Sequence, residues 1–102
     1  MKIIKELCDY IHEEICDADK YIRAALEYKD DYKDTAETFY VLSMEELNHM
    51  QILHNAVTAV ITKYRRENGE PPADMLAVYN YLHERAIDDV KEVKILQAMY
   101  KE

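Results

Sequence analysis

The sequence predicts an all-α chain, a long antiparallel helical hairpin followed by a third helix. Only one Gly and two Pro occur in 102 residues, so regular structure meets few breakers. Apolar residues recur at three- and four-residue spacing over most of the length, the period of an amphipathic helix. Nothing reads as strand. A chain of this length supports a single domain, residues 1–102, and not two independent cores.

The first helix is expected over about residues 3–28, with Ile3, Leu7, Ile11, Ala18, Ile22 and Ala25 along one stripe. Glu14 fills the gap between Ile11 and Ala18. Glu13 falls on the more polar side with Asp9, Asp17 and Lys20, and Asp17 lies one turn beyond Glu14. Clustered short polar residues from Lys29 to Asp34 end the pattern. Asp34-Thr35-Ala36-Glu37 reads as a capping box, with Asp31 an alternative cap one turn earlier.

The second helix is expected over about 34–67, stopping at Asn68-Gly69. At 1.5 Å per residue it is roughly 50 Å long. One stripe carries Phe39, Leu42, Leu53, Ala56 and Val60; a second carries Tyr40, Leu47, Met50, Val57 and Ile61. One partner helix cannot cover both, so a third helix or another subunit must. Pro71-Pro72 suits the opening of a third helix over about 72–100, with Asp74 complementing its dipole. Its expected buried residues are Met75, Tyr79, Leu82, Ala86, Val90, Val93 and Leu96.

Charge excludes some functions. The formal net charge of -8 lacks the basic footprint that a nucleic-acid binder needs to displace counterions. Lys63, Arg65 and Arg66 lie where a helix ends, and stabilising its dipole explains them. No membrane span is expected. The N-terminal MKIIKELCDYIHEEI lacks the continuous apolar run of a signal peptide. Cys8 and Cys16, eight residues apart on one helix, are roughly 12 Å apart along its axis, beyond disulfide reach. Two lone thiols and no leader point to the cytoplasm.

The informative stretch is Tyr40–His54. Glu46 and His49, three residues apart, share one side of the helix in the middle of its first apolar stripe. A carboxylate buried there without compensation costs several kcal/mol, roughly. A short turn near residue 30 makes the first two helices antiparallel, so residues equally far from it lie at the same height. Glu14 and Glu46 are both about sixteen residues from that turn. Glu14, Glu46 and His49 therefore converge, three potential ligands in otherwise apolar stripes.

Plainer readings exist for each residue. Glu46 and His49 can hydrogen-bond to each other within a core, and Glu45 can pair with His49 as an ordinary helical ion pair. His12 and Cys16 have ligand-like spacing but lie at the edge of the apolar face. His54 and His83 lack convergent carboxylates and read as structural or exposed. The nine Tyr, Tyr40 among them, read as filling between helices with hydroxyls at the rim. Asp89 and Glu92 of the third helix are poor additional ligands.

The constellation resembles that of the ferritin-like di-iron carboxylate proteins. Their four-helix bundle binds two metals with a Glu from each of two helices and a Glu-x-x-His from each of the others. Glu14 matches the single Glu, and Glu46 with His49 matches Glu-x-x-His, over the first two helices. The chain is most similar to the encapsulated-ferritin type, a half-bundle whose metal site forms at a two-fold interface. It departs from that type in a longer third helix and a charged C-terminus, AMYKE. The resemblance implies a homodimer or higher homo-oligomer holding dinuclear iron, with manganese the other candidate. Glu46 would bridge the metals, Glu14 and His49 would be terminal ligands, and the activity would be ferroxidase, oxidation of Fe(II) by O₂ or peroxide. The alternative expectation is a metal-free helical assembly or adaptor protein in which the same three residues form a buried polar network.

Overall fold

Long uninterrupted apolar periodicity is realised as three helices: α1 (Lys2–Tyr28), α2 (Lys33–Asn68) and α3 (Ala73–Lys101). The structure, a computed structural model, describes residues 2–102, and no strand occurs among them. The rod measures 56 × 19 × 18 Å. None of the described helices is long and apolar enough to cross a membrane. The second loop forms as read: Gly69 adopts φ 79°, a conformation open to glycine, and its N–H bonds the Arg65 carbonyl.

The start of α2 differs from expectation. No side chain caps it; the helix begins at Lys33 after Tyr32, and Asp34 lies inside its first turn. Neither Asp31 nor Asp34 serves as the cap. Glu37, which a capping box would turn back on Asp34, instead accepts a 2.8 Å hydrogen bond from the Tyr100 hydroxyl. A contact from the far end of the chain thus displaces the local motif. Backbone bonds from Tyr32 N–H to the Tyr28 carbonyl and from Ala36 N–H to the Tyr32 carbonyl carry the chain through the turn instead.

α1 packs along α2 on one side and against α3 on the other. Near the α1–α2 turn the contact is tight because the facing residues are small: Ala18, Ala25, Ala36 and Ser43 are fully buried. Ser43 Oγ donates to the Ala18 carbonyl at 2.8 Å and accepts from Gln97 Nε2 at 3.0 Å, so one buried hydroxyl links all three helices. Towards the other end Ile11, Met50, His54 and Val57 meet Tyr79 and His83. These side chains line a groove of about 880 Å³ between α3 and the hairpin. Accordingly the buried residues of α3 are Val93, Gln97 and Tyr100, all in its second half. Of the α3 residues expected inside, Leu82 is exposed; in α1 Ile3 is exposed, and Ile4 and Ile15 are buried. These shifts follow from α1 burying a face between two partners, which rotates the buried stripe away from Ile3.

Replacing Ser43 with Ala nearly keeps the volume but removes the hydroxyl from the Ala18 carbonyl and strands the Gln97 amide. We expect a loss of about 1–3 kcal/mol in urea unfolding with unchanged helix content.

Candidate metal centre

The three residues singled out from the sequence meet on one side of the α1–α2 hairpin. Each offers a ligand atom, and these atoms lie within 4.8 Å of one another. His49 Nδ1 is 3.5 Å from Glu14 Oε2 and 3.7 Å from Glu46 Oε2. The register follows from the short turn: Glu14 stands beside buried Ile15 of α1, and Glu46 beside buried Leu47 of α2, so both carboxylates flank the packed seam. The exposure is graded, with side chains 17% accessible at Glu46, 26% at Glu14 and 54% at His49. The imidazole is the outermost of the three.

The electrostatics are unfavourable for two free carboxylates. Glu46 is pushed up to about 7, first by the hydrogen bond it can share with Glu14, then by burial and by Glu14's charge. Asp17 adds to the rise from one turn along α1, and His49 opposes it. Glu14 Oε2 is completely covered and has no hydrogen-bond donor. A proton on Glu46 can be shared with Glu14, and the His49 Nδ1 that faces the covered oxygen stands off at 3.5 Å. A buried anionic oxygen without a donor is costly, and a cation placed among these atoms removes both the repulsion and the vacancy in its bonding. Two carboxylates and an imidazole form the mixed oxygen–nitrogen donor set that suits iron or manganese. The residues therefore fit a metal on their own chemistry.

The other singled-out residues lie elsewhere. Among the described residues, the Glu14–Glu46–His49 group is the one whose spacing fits a metal ion; Asp89 and Glu92 do not join it. Cys16 Sγ contacts His12 Nε2 at 3.5 Å on the exposed side of α1, and both cysteines are free thiols. Tyr40 stacks on Tyr100 with ring centroids 4.9 Å apart, under the Lys101 ammonium, so it fills the α2–α3 seam. His54 and His83, read separately as structural or exposed, stack on each other at 4.9 Å in the wide groove. Sequence reading missed that pair and the Ser43–Gln97 link, because each joins residues on different helices with no shared spacing to betray them.

The site lies on an uncovered face. Tyr10, one turn before Glu14, and Ile52, one turn beyond His49, are 49% and 66% exposed. Along α2, Leu42, Leu53, Ala56 and Val60 of the first stripe are half-buried, whereas Leu47 and Val57 of the second are buried in the core. Comparison with known protein families, with characterised proteins and with solved structures found no match to this chain.

Proposed function

We propose that this chain is a metal-binding protein of the ferritin-like carboxylate kind. In this reading a second copy seats on the open α1–α2 face, and the paired chains hold two metal ions between them. The observation that carries it is the convergence of Glu14, Glu46 and His49 around a covered carboxylate oxygen that lacks a donor. Three donor residues are too few to complete a six-coordinate oxygen–nitrogen site. Two-fold pairing presents the same patch twice, raising the set to four carboxylates and two imidazoles. Pairing also covers Tyr10 and Ile52, large apolar side chains otherwise left in water.

Within such a centre Glu46, the most enclosed of the three, would serve both metals, and Glu14 and His49 would each hold one. The substrate is Fe(II) and the co-substrate dioxygen. Two Fe(II) each lose one electron, and dioxygen takes up both with two protons to leave as hydrogen peroxide. The chain's own part is to hold the ions at a fixed separation, to neutralise them with carboxylates and to release the proton from Glu46 as metal enters. The two free thiols suit a reducing, cytoplasmic setting.

Metal analysis of purified, iron-loaded protein tests this reading, with about one iron expected per chain from two per paired bundle. No iron after loading would leave a metal-free helical assembly protein in its place. The pairing has its own test. Ile52→Glu puts a charge on a position that is 66% exposed in the single chain. It should convert a dimer to monomer in sedimentation velocity and weaken metal binding while Glu14, Glu46 and His49 stay intact. A variant that remains dimeric and binds metal normally places the interface elsewhere.

A further inference from the structure

The wide groove between α1, the second half of α2 and the first half of α3 lies apart from the metal centre, and none of Glu14, Glu46 or His49 lines it. Three of the four histidines do: His12, His54 and His83. The rings of His54 on α2 and His83 on α3 stack with centroids 4.9 Å apart and planes 30° from parallel. Tyr79 continues the stack, 5.7 Å from His83. The second half of α3 is anchored by buried Val93, Gln97 and Tyr100; the first half has no buried residue and is held by partly buried Tyr79 and Ala86 and by this ring contact with α2.

We propose that the His54–His83 pair is an acid-operated latch. With the rings neutral it holds the first half of α3 on α2, and protonation releases that half and widens the groove.

The geometry supplies the reason. Two neutral imidazoles stack without charge repulsion, whereas two imidazolium ions at this separation repel each other across a partly dehydrated wall. The remaining charges do not hold a protonated pair in place. From α1 the groove is faced by Cys8, Asp9, His12 and Glu13. From α3 it is faced by Tyr79, Arg85, Asp89, Lys91 and Lys94, so three acidic side chains stand against three basic ones. Burial, and then the neighbouring His83, lower His54 from its ordinary 6.5. The docked arrangement therefore favours the neutral ring, and its stability falls as pH drops below 6.5, where the released ring takes up a proton more readily.

Proton titration of the purified protein by NMR tests the latch. The His54 ring resonances should titrate with a midpoint below 6.5, and the backbone amides of residues 75–87 should shift with the same midpoint. The amides of residues 93–100 should stay unchanged. In the H54F/H83F double variant, which keeps two stacked rings without a titrating group, the response of residues 75–87 should vanish. Flat amide shifts between about pH 7.5 and pH 5 in the unaltered protein would overturn the proposal. So would a response that survives in the double variant, since it would then belong to His12 or His49. Neither outcome depends on metal occupancy, so the latch and the metal centre stand or fall separately.

Discussion

Glu46→Ala and His49→Ala should each abolish stoichiometric binding of Fe(II) or Mn(II), with the helical fold retained. Glu46 is the less exposed of the two carboxylates, and His49 supplies the nitrogen facing both. Removing either leaves two donor residues per chain, and in the proposed pair the second copy would lose the same group. The loss in affinity should exceed the ~10–100-fold that removal of an outer-shell partner costs. Isothermal titration or metal analysis after desalting reads this directly. Thermal unfolding gives a second reading: metal at a hundredfold excess over its dissociation constant should stabilise the unaltered protein by about 2.7 kcal/mol and leave both variants unaffected. Full stoichiometry in both variants would remove the centre from consideration.

Glu46→Gln should make the metal-free protein more stable at pH 8. In the folded chain Glu46 holds its proton up to about 7, whereas an unfolded glutamate releases it near 4.5. The folded state therefore binds more protons between those values, and its stability falls as pH rises through that window. Above it both Glu14 and Glu46 are charged beside each other, and an amide at position 46 relieves the repulsion. The gain should be about 1–2 kcal/mol, below the full conversion of the shift because the open face admits water that screens the pair. Urea unfolding at pH 5 and pH 8 checks it: the unaltered protein loses stability between the two, and the variant should lose much less. The same proton competes with metal, so binding by the unaltered protein should weaken as pH falls through about 7. A destabilised variant at pH 8 would mean that the two carboxylates are not repelling each other.

Much of the centre was legible in one dimension because helices convert spacing into position. Glu46 and His49 share a face through their three-residue separation, and Glu14 reaches their height through a turn of known place. These arguments need only the helical rise and the location of residues 29–32. The start of α2 was not legible in that way. Asp34 and Glu37 have the spacing of a capping box, but Tyr100, sixty-three residues away, takes the glutamate. Local propensity is worth about 1 kcal/mol at such a cap, and one charge-assisted hydrogen bond from a packed partner is worth as much or more.

Leu82 and Ile3 show the same limit on burial. Both lie on an apolar stripe, yet α1 turns its face between two partners and α3 diverges from the hairpin at its first half, leaving both exposed. A stripe states that a face is apolar without stating which edge a neighbour covers.

The sequence alone determined that the chain is helical, where its turns fall, and that two carboxylates and an imidazole meet at one height, since each depends on periodicity and chain length. Only the tertiary structure decided how close those groups come, which oxygen is covered without a donor, and that α3 closes tightly at one end and leaves a groove at the other. Side-chain volume is the reason. Alanines and a serine let α1 and α2 approach near the turn, and the Ser43 hydroxyl ties α3 in there, whereas further along α3 has no fully buried side chain, and that balance is set only when all three faces meet.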